Sequence, residues 1–399
     1  MIKEPLLSDL SLQNCYAEGS KMSKRNREIG DDEEPVSRET KRRKVDGESH
    51  ATELTYSNYT VGWVCALPKE LIAATAMLDE SHVDLPKPPN DHNAYTLGRV
   101  GEHNVVIACL PKGEIGNTNS ATVAARMTST FQSIKFGLMV GIGGGVPKSV
   151  RLGDVVVSTP TDGFGGVIQW DFGKTGQGGT FKRTGALNRP PSELLTALTK
   201  LEREHAMKGS KIPQYLEALK KNWPKLAPKY TRSESLRDVL FRADYNHVEK
   251  SVIGGMGTTG NAMQDGDDDD DDDEGEGNYC TNCDQSKIVQ RKTRDMRVHY
   301  GLIASGNQVI KDAAFRDEIN KRLGGKVLCF EMEAAGLMND FPCIVIRGIC
   351  DYADSHKNKH WREHAAAVAA AFAKELLSVV PAQEVEQMPT IKSNGPSAF

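Results

Sequence analysis

The stretch CIVIRGICDYAD, residues 343–354, decides the reading of this chain. Its apolar, β-branched run hardly alternates with polar residues, which marks a strand buried on both faces of a sheet, and it ends on an acid, Asp351. The segment KVLCFEMEAAG, residues 326–336, repeats the arrangement with Glu333 following the apolar run. In an open α/β sheet, ligands bind beyond the carboxyl ends of the strands. Two acids at successive strand ends therefore make Asp351 and Glu333 the first candidates for a reaction centre.

Similar runs lie upstream: TVGWVCAL (60–67), NVVIACL (104–110), KFGLMVGI (135–142), DVVVS (154–158), GVIQW (166–170) and VHYGLIAS (298–305). Helical patterns separate them at 68–80, 120–133, 306–323 and 363–380. Alternation of strand and helix predicts one three-layer α/β domain over residues 56–380. Between 159 and 298 the order changes. Two helical patterns (191–207 and 212–223) and little strand signal predict a long insertion or lid over the same core.

Composition bounds the rest. Residues 1–55 are polar, with basic clusters KMSKRNR and KRRKV flanking DDEE, and read as a disordered charged tail. The clusters resemble a bipartite nuclear import signal, which points to a cytoplasmic or nuclear protein. Residues 265–277, DGDDDDDDDEGEG, hold ten acids; without them the formal charge of −4 becomes +6. Such a block repels itself and belongs in a loop. Residues 381–399 read as a loose C-terminal tail. No apolar stretch reaches the roughly 18 residues of a membrane span. Five of the eight cysteines (Cys65, Cys109, Cys329, Cys343 and Cys350) lie in apolar strand-like runs, as reduced buried thiols do.

Two glycine-rich turns follow strands, PKGEIGNTNSA (111–121) and VGIGGGVP (140–147). Glycine lets the backbone approach a ligand, and a helix starting near Asn117 presents free N–H groups. A tight structural turn is the commoner explanation for either loop.

The ordered set ALPKEL, KGEIG, VGIGGG, LGDVVVS, GLIASGNQVI, FEMEAAG and RGICDYAD resembles the nucleoside phosphorylase and nucleosidase superfamily. The methylthioadenosine/S-adenosylhomocysteine nucleosidase branch and fungal nucleoside phosphorylase domains are the nearest in pattern. The resemblance spans about residues 59–377. It implies a central mixed, twisted β-sheet flanked by helices, a homo-oligomer, a purine nucleoside substrate and no required cofactor. It also implies that Glu333 binds the ribose hydroxyls and stabilises the cationic sugar, that Met332 packs under the sugar, that Asp351 protonates the purine, and that Glu70 activates water. Gly143 and Gly144 belong to the substrate loop. Val309 stands where the family has a base-stacking aromatic, so Trp170 or Phe172 is the candidate substitute.

The chemistry is coherent without the family. Cleaving an N-glycosidic bond needs a protonated leaving group, a stabilised oxocarbenium ion and a nucleophile on the opposite face. A positioned proton donor contributes about 10²- to 10⁴-fold. Asp351 is expected to be protonated near neutral pH, its pKa raised by burial, and Glu333 to stay ionised. Each acid also has a plain structural reading: Glu333 pairing with Arg347, Asp351 capping the next turn, Glu70 favoured by a helix dipole.

Phosphorylases of this group hold phosphate with arginines and a hydroxyl residue. Here Met139 and Val140 stand before the glycines, Ile142 stands where the hydroxyl would be, and residues 60–80 contain no Arg. A dianion among apolar neighbours is costly to desolvate, so hydrolysis of adenosine-type nucleosides is the favoured activity, with phosphorolysis as alternative and Lys112 as the one cation that could approach an anion. A nucleoside-sensing or effector module of a larger assembly is a second alternative. Nucleic-acid binding lacks a folded recognition motif. Finally, CTNCD places Cys280 and Cys283 downstream of His247, three ligands for a structural zinc, with Asp284 or His299 as fourth.

Overall fold

The computed structural model describes residues 54–248, 280 and 282–393. The two basic N-terminal clusters and the acidic run at 265–277 lie outside the described residues. In chain order the strands are β1 (Val61–Cys65), β2 (Glu80–Ser81), β3 (Tyr95–Val100), β4 (His103–Cys109), β5 (Phe136–Gly145), β6 (Val155–Ser158), β7 (Val167–Gln169), β8 (Gly173–Thr175), β9 (Phe181–Arg183), β10 (Val298–Ser305), β11 (Val327–Glu331) and β12 (Cys343–Asp351). The helices are α1 (Pro68–Ala76), α2 (Asn117–Thr130), α3 (Ser192–Lys208), α4 (Ile212–Asn222), α5 (Ala227–Tyr230), α6 (Ala313–Arg322), α7 (Trp361–Leu377) and α8 (Ala382–Gln387).

The central sheet runs β11–β10–β6–β12–β5–β1–β4–β3–β2, with β7 beside β10. It is mixed, as the resemblance implies. β1 pairs in parallel with β4 and β5, and β5 with β12, whereas β6 runs antiparallel to β12. β5 is long enough to pair again at its far end, where Gly144 and Gly145 meet Phe330 and Cys329 of β11. That second pairing closes β11, β10, β6, β12 and β5 into a ring, and it brings the ends of β5, β11 and β12 together.

Strand alternation builds the three layers. Val61, Trp63, Phe136, Leu138, Ile344 and Ile346 face one side and pack with α7, α3 and α4; Val64, Val106, Met139, Cys343 and Val345 face the other, with Val123 and Met127 of α2. The deepest helix is α7, whose alanine run buries almost every residue. Alanine keeps helix propensity high and lets the helix lie close to the sheet. At the closest point Gly348 of β12 meets the carbonyl of Ala365, and a Cβ at 348 would stand 1.9 Å from that oxygen.

Three departures from the sequence expectation have physical causes. The strand β3 went unread because its pattern, YTLGRV, is half-exposed rather than continuously apolar. Beyond the strand expected at 166–170, the 159–298 stretch contributes helices to the core: Leu194, Leu198, Leu201, Ile212 and Leu219 bury in the same cluster as α7. The C-terminal segment is not loose as far as Ser393, since Val385 is buried and the Ile391 N–H donates to the Ile134 carbonyl at 2.9 Å. Among the described residues no single helix is long and apolar enough to cross a membrane.

Replacing Gly348 by Ala forces the sheet and α7 apart, an overpacking that costs about 1–3 kcal/mol. Thermal melts should show a clearly lowered Tm for Gly348→Ala; a wild-type Tm would contradict the close approach described.

Candidate active site

β12 carries an arginine in its middle and an acid at its end, all nine residues buried. Arg347 is 1% exposed. A guanidinium there must be paired, because an uncompensated buried charge is prohibitively costly. Its Nη2 donates to Glu331 Oε2 and, at 3.3 Å, to Glu333 Oε2; its Nη1 donates to the Ile142 carbonyl at 3.4 Å. Glu331, the first acid of FEMEAAG, also accepts from the backbone N–H groups of Glu333 (3.1 Å) and Ala334 (3.0 Å). It fixes the turn on which Glu333 stands.

Glu333 is 5% exposed and accepts at Oε1 from the Gly116 N–H, 3.3 Å away. Gly116 precedes α2 with φ of +100°, a conformation open to glycine. The start of α2 is locked to the same turn: Ser120 Oγ donates to the Glu333 carbonyl (2.8 Å), and Asn117 Oδ1 accepts from the Gly336 N–H (3.1 Å) and from Ser305 Oγ (3.3 Å). Burial pushes the Glu333 carboxyl up to about 7; Arg347 opposes the rise, and Glu331 and Glu70 add to it. Burial thus works against the plainly ionised Glu333 that the sequence leads one to expect.

Glu70 lies in the first turn of α1. Its Oε2 accepts from the N–H groups of Ala66 (2.7 Å) and Leu67 (3.0 Å), and its Oε1 from Ile142 at 2.8 Å. Burial raises its pKa against the pull of Arg347 and these donors. The glycines of β5 make room for the group. A Cβ at Gly141 would fall 2.4 Å from Glu70 Oε1 and 2.5 Å from Arg347 Nη1, and one at Gly143 would press on the Phe330 carbonyl and Arg347.

Asp351 stands apart from this cluster. The β5–β12 register shifts so that Ile349 opposes Gly143 and Asp351 opposes Gly144, leaving Cys350 as an extra residue of the bulge type. Asp351 Oδ1 accepts from the Ala353 N–H at 2.7 Å, and Lys357 Nζ lies 3.4 Å from Oδ2. A Cβ at Gly144 would come 2.8 Å from Oδ1. Burial raises the Asp351 pKa, but Lys357, the Ala353 N–H and the Cys350 thiol outweigh it, and the net shift is downward. The direction is opposite to the raised pKa expected of a buried acid, because Lys357 folds back onto the carboxyl.

Other candidates are more scattered. Met332 is half-buried beside Glu333. Trp170 is buried, with its ring edge-on to Phe315 at 5.9 Å and its indole where a Gly306 Cβ would be. Phe172 is 57% and Val309 39% exposed. Lys112 is exposed on the loop between β4 and α2. Cys280 and Cys283 gather at His247, with Sγ to Nδ1 distances of 3.7 and 3.3 Å. The two fourth-ligand candidates are engaged elsewhere: His299 Nε2 with Asp154 (2.8 Å), and Asp284 as the cap of a short helical turn. Sequence reading leaves Glu331 without a role and gives Arg347 only a structural pairing with Glu333, which the structure shows. Their signal was present, as two charged residues inside continuous apolar runs.

Residues 60–214 match the phosphorylase superfamily. A nucleotide-binding leucine-rich repeat (NLR)-like protein of Hyaloscypha variabilis is 44% identical over 345 residues, 84% of this chain; the chain spans only 30% of that protein's length. A 5'-methylthioadenosine/S-adenosylhomocysteine nucleosidase of Mycobacterium bovis is 23% identical over 81% of this chain and 97% of its own. Among solved structures, the futalosine hydrolase of Helicobacter pylori covers 81% of this chain and 99% of its own at 15% identity, with a TM-score of 0.48. The nucleosidase of S. pneumoniae with a transition-state inhibitor has 17% identity and the same TM-score, covering 81% of this chain and all of its own. The match to the phosphorylase superfamily thus runs from β1 into α4 and includes Glu70, while the buried acids at the ends of β11 and β12 lie beyond it.

Proposed function

We propose that the domain cleaves the N-glycosidic bond of purine nucleosides, adenosine-type bases favoured, with water as nucleophile. One observation carries the reading: Glu70, Glu331 and Glu333 surround a single guanidinium, Arg347, which two of them already engage. Carboxylates in excess favour a developing sugar cation and oppose a phosphate dianion. Water suffers no such repulsion.

In this mechanism the C1′–N9 bond breaks with its electron pair passing to the purine, whose imidazole ring takes a proton from Asp351. Glu333 faces the cationic sugar. Water attacks C1′ and gives a proton to Glu70, whose raised pKa strengthens it as a base. Purine and ribose are the products. Because Lys357 and the Ala353 N–H keep free Asp351 ionised, the proton it delivers is taken up as the substrate binds.

The NLR-like relative motivates a second reading, in which the domain is the nucleoside-responsive part of a larger assembly. Turnover separates the two, since a pure sensor binds nucleoside without releasing base.

Incubation with adenosine in phosphate-free buffer should release adenine and ribose. A strict need for phosphate, with ribose 1-phosphate as product, would overturn the choice of water. Asp351→Asn should lower kcat by about 10²- to 10⁴-fold with Tm unchanged; wild-type turnover would remove Asp351 from the mechanism. Since Glu333 is pushed up to about 7, it loses its charge as pH falls through that value. The profile of kcat/KM, which reports the free enzyme, should therefore decline on the acid side with a midpoint near 7. A profile flat from pH 5 to 8 would exclude Glu333 as the cation-stabilising group.

A further inference from the structure

A second cluster of reactive side chains lies away from the carboxylates. Cys280 and Cys283 stand on a turn closed by a bond of 3.1 Å from the Cys283 N–H to the Cys280 carbonyl. Both thiols point at His247, whose Nδ1 is 3.3 Å from Cys283 Sγ and 3.7 Å from Cys280 Sγ. His356 approaches from the loop that follows β12, and ligand atoms of His247, Cys283 and His356 all lie within 4.8 Å of one another.

Ligands held tetrahedrally at 2.0–2.3 Å from a zinc ion are about 3.3–3.8 Å apart. The two sulfur–nitrogen separations match that spacing. His356 supplies the independent observation. Its Nε2 is buried with no hydrogen-bond partner among the described residues, an arrangement that native proteins avoid and that a metal bond would relieve. Its ring is clamped by stacking on Phe241, centroids 4.1 Å apart and planes 13° from parallel. The surroundings are those of a ligand set held by outer partners: the Val248 N–H donates to Cys283 Sγ (3.5 Å), the His247 N–H to Ser355 Oγ (2.9 Å), and the His356 N–H to Asp354 Oδ1 (2.9 Å).

We propose that His247, Cys280, Cys283 and His356 bind one zinc ion, joining the 159–298 stretch to the loop that begins at Asp351. Two thiolates and two neutral imidazoles suit zinc above harder cations. Binding balances as one Zn²⁺ taken up and two thiol protons released, giving a site of no net charge. The fourth ligand is thus His356, a residue of the DYADSH segment, rather than Asp284 or His299. The join makes the stretch between β6 and β10 a brace for the active-site loop.

The test uses the whole chain, purified with reductant and without added metal. Elemental analysis should find one zinc per chain. After chelator treatment, cobalt(II) should restore one equivalent, with a thiolate-to-cobalt charge-transfer band in the near ultraviolet and the intense visible bands of a tetrahedral site. Cys283→Ser should abolish the charge-transfer band or cut it sharply. His356→Ala should weaken cobalt affinity by at least about tenfold, while Asp284→Ala should leave it unchanged. The wild-type cobalt spectrum stands whether or not a variant folds. Metal well below one per chain, a cobalt spectrum without the thiolate band, a Cys280–Cys283 disulfide in the reduced preparation, or wild-type affinity in a folded His356→Ala would each overturn the proposal. None of these readings depends on nucleoside cleavage.

Discussion

A guanidinium buried in the middle of a β-strand is the constraint on which this structure depends. Arg347 has no water to turn to, so the polypeptide has to deliver anions to it, and they come from three places: β11, the turn after it, and the first turn of α1. Removing one partner of such a buried group costs about 3–5 kcal/mol. The same electrostatics that hold β11 against β12 therefore gather carboxylates at the sheet's carboxyl end. Stability and the candidate chemistry share their charged groups, and a substitution at any of them acts on both.

Much of the fold was legible because β1, β5, β10, β11 and β12 are continuously apolar, and because α7 advertises itself by composition. The half-exposed β3 and the short hairpin β8–β9 were not, since neither run shows the density of apolar residues that burial on two faces demands. The acids at 70, 333 and 351 could be named from their positions at element ends. Their protonation could not, because it depends on partners far off in sequence or folded back: Gly116 and Glu70 for Glu333, Ile142 for Glu70, Lys357 for Asp351. His356 escaped notice for the same reason. Nothing in one-dimensional spacing links it to a CxxC more than seventy residues upstream.

The stretch between β6 and β10 takes on a different character in three dimensions. Its helices α3 and α4 bury leucines against the core shared with α7, and its later part reaches the loop after β12 through Ser355 and His356. An element read as a cover over the sheet is anchored at both the helical layer and the loop after β12. Changes in either place have a short physical route to Asp351 through the 352–357 backbone.

The extra residue at Cys350 has a consequence beyond local geometry. By turning Asp351 away from the face that carries Arg347, the shifted register gives Asp351 a separate cation, Lys357, outside the group of acids that share Arg347. Two acids sharing one guanidinium would have to compromise, each new neighbour of the one disturbing the other. Separated, the two sites are independent dials: evolution or an engineer can reset the proton affinity of Asp351 by changing Lys357 while the acids around Arg347 keep theirs.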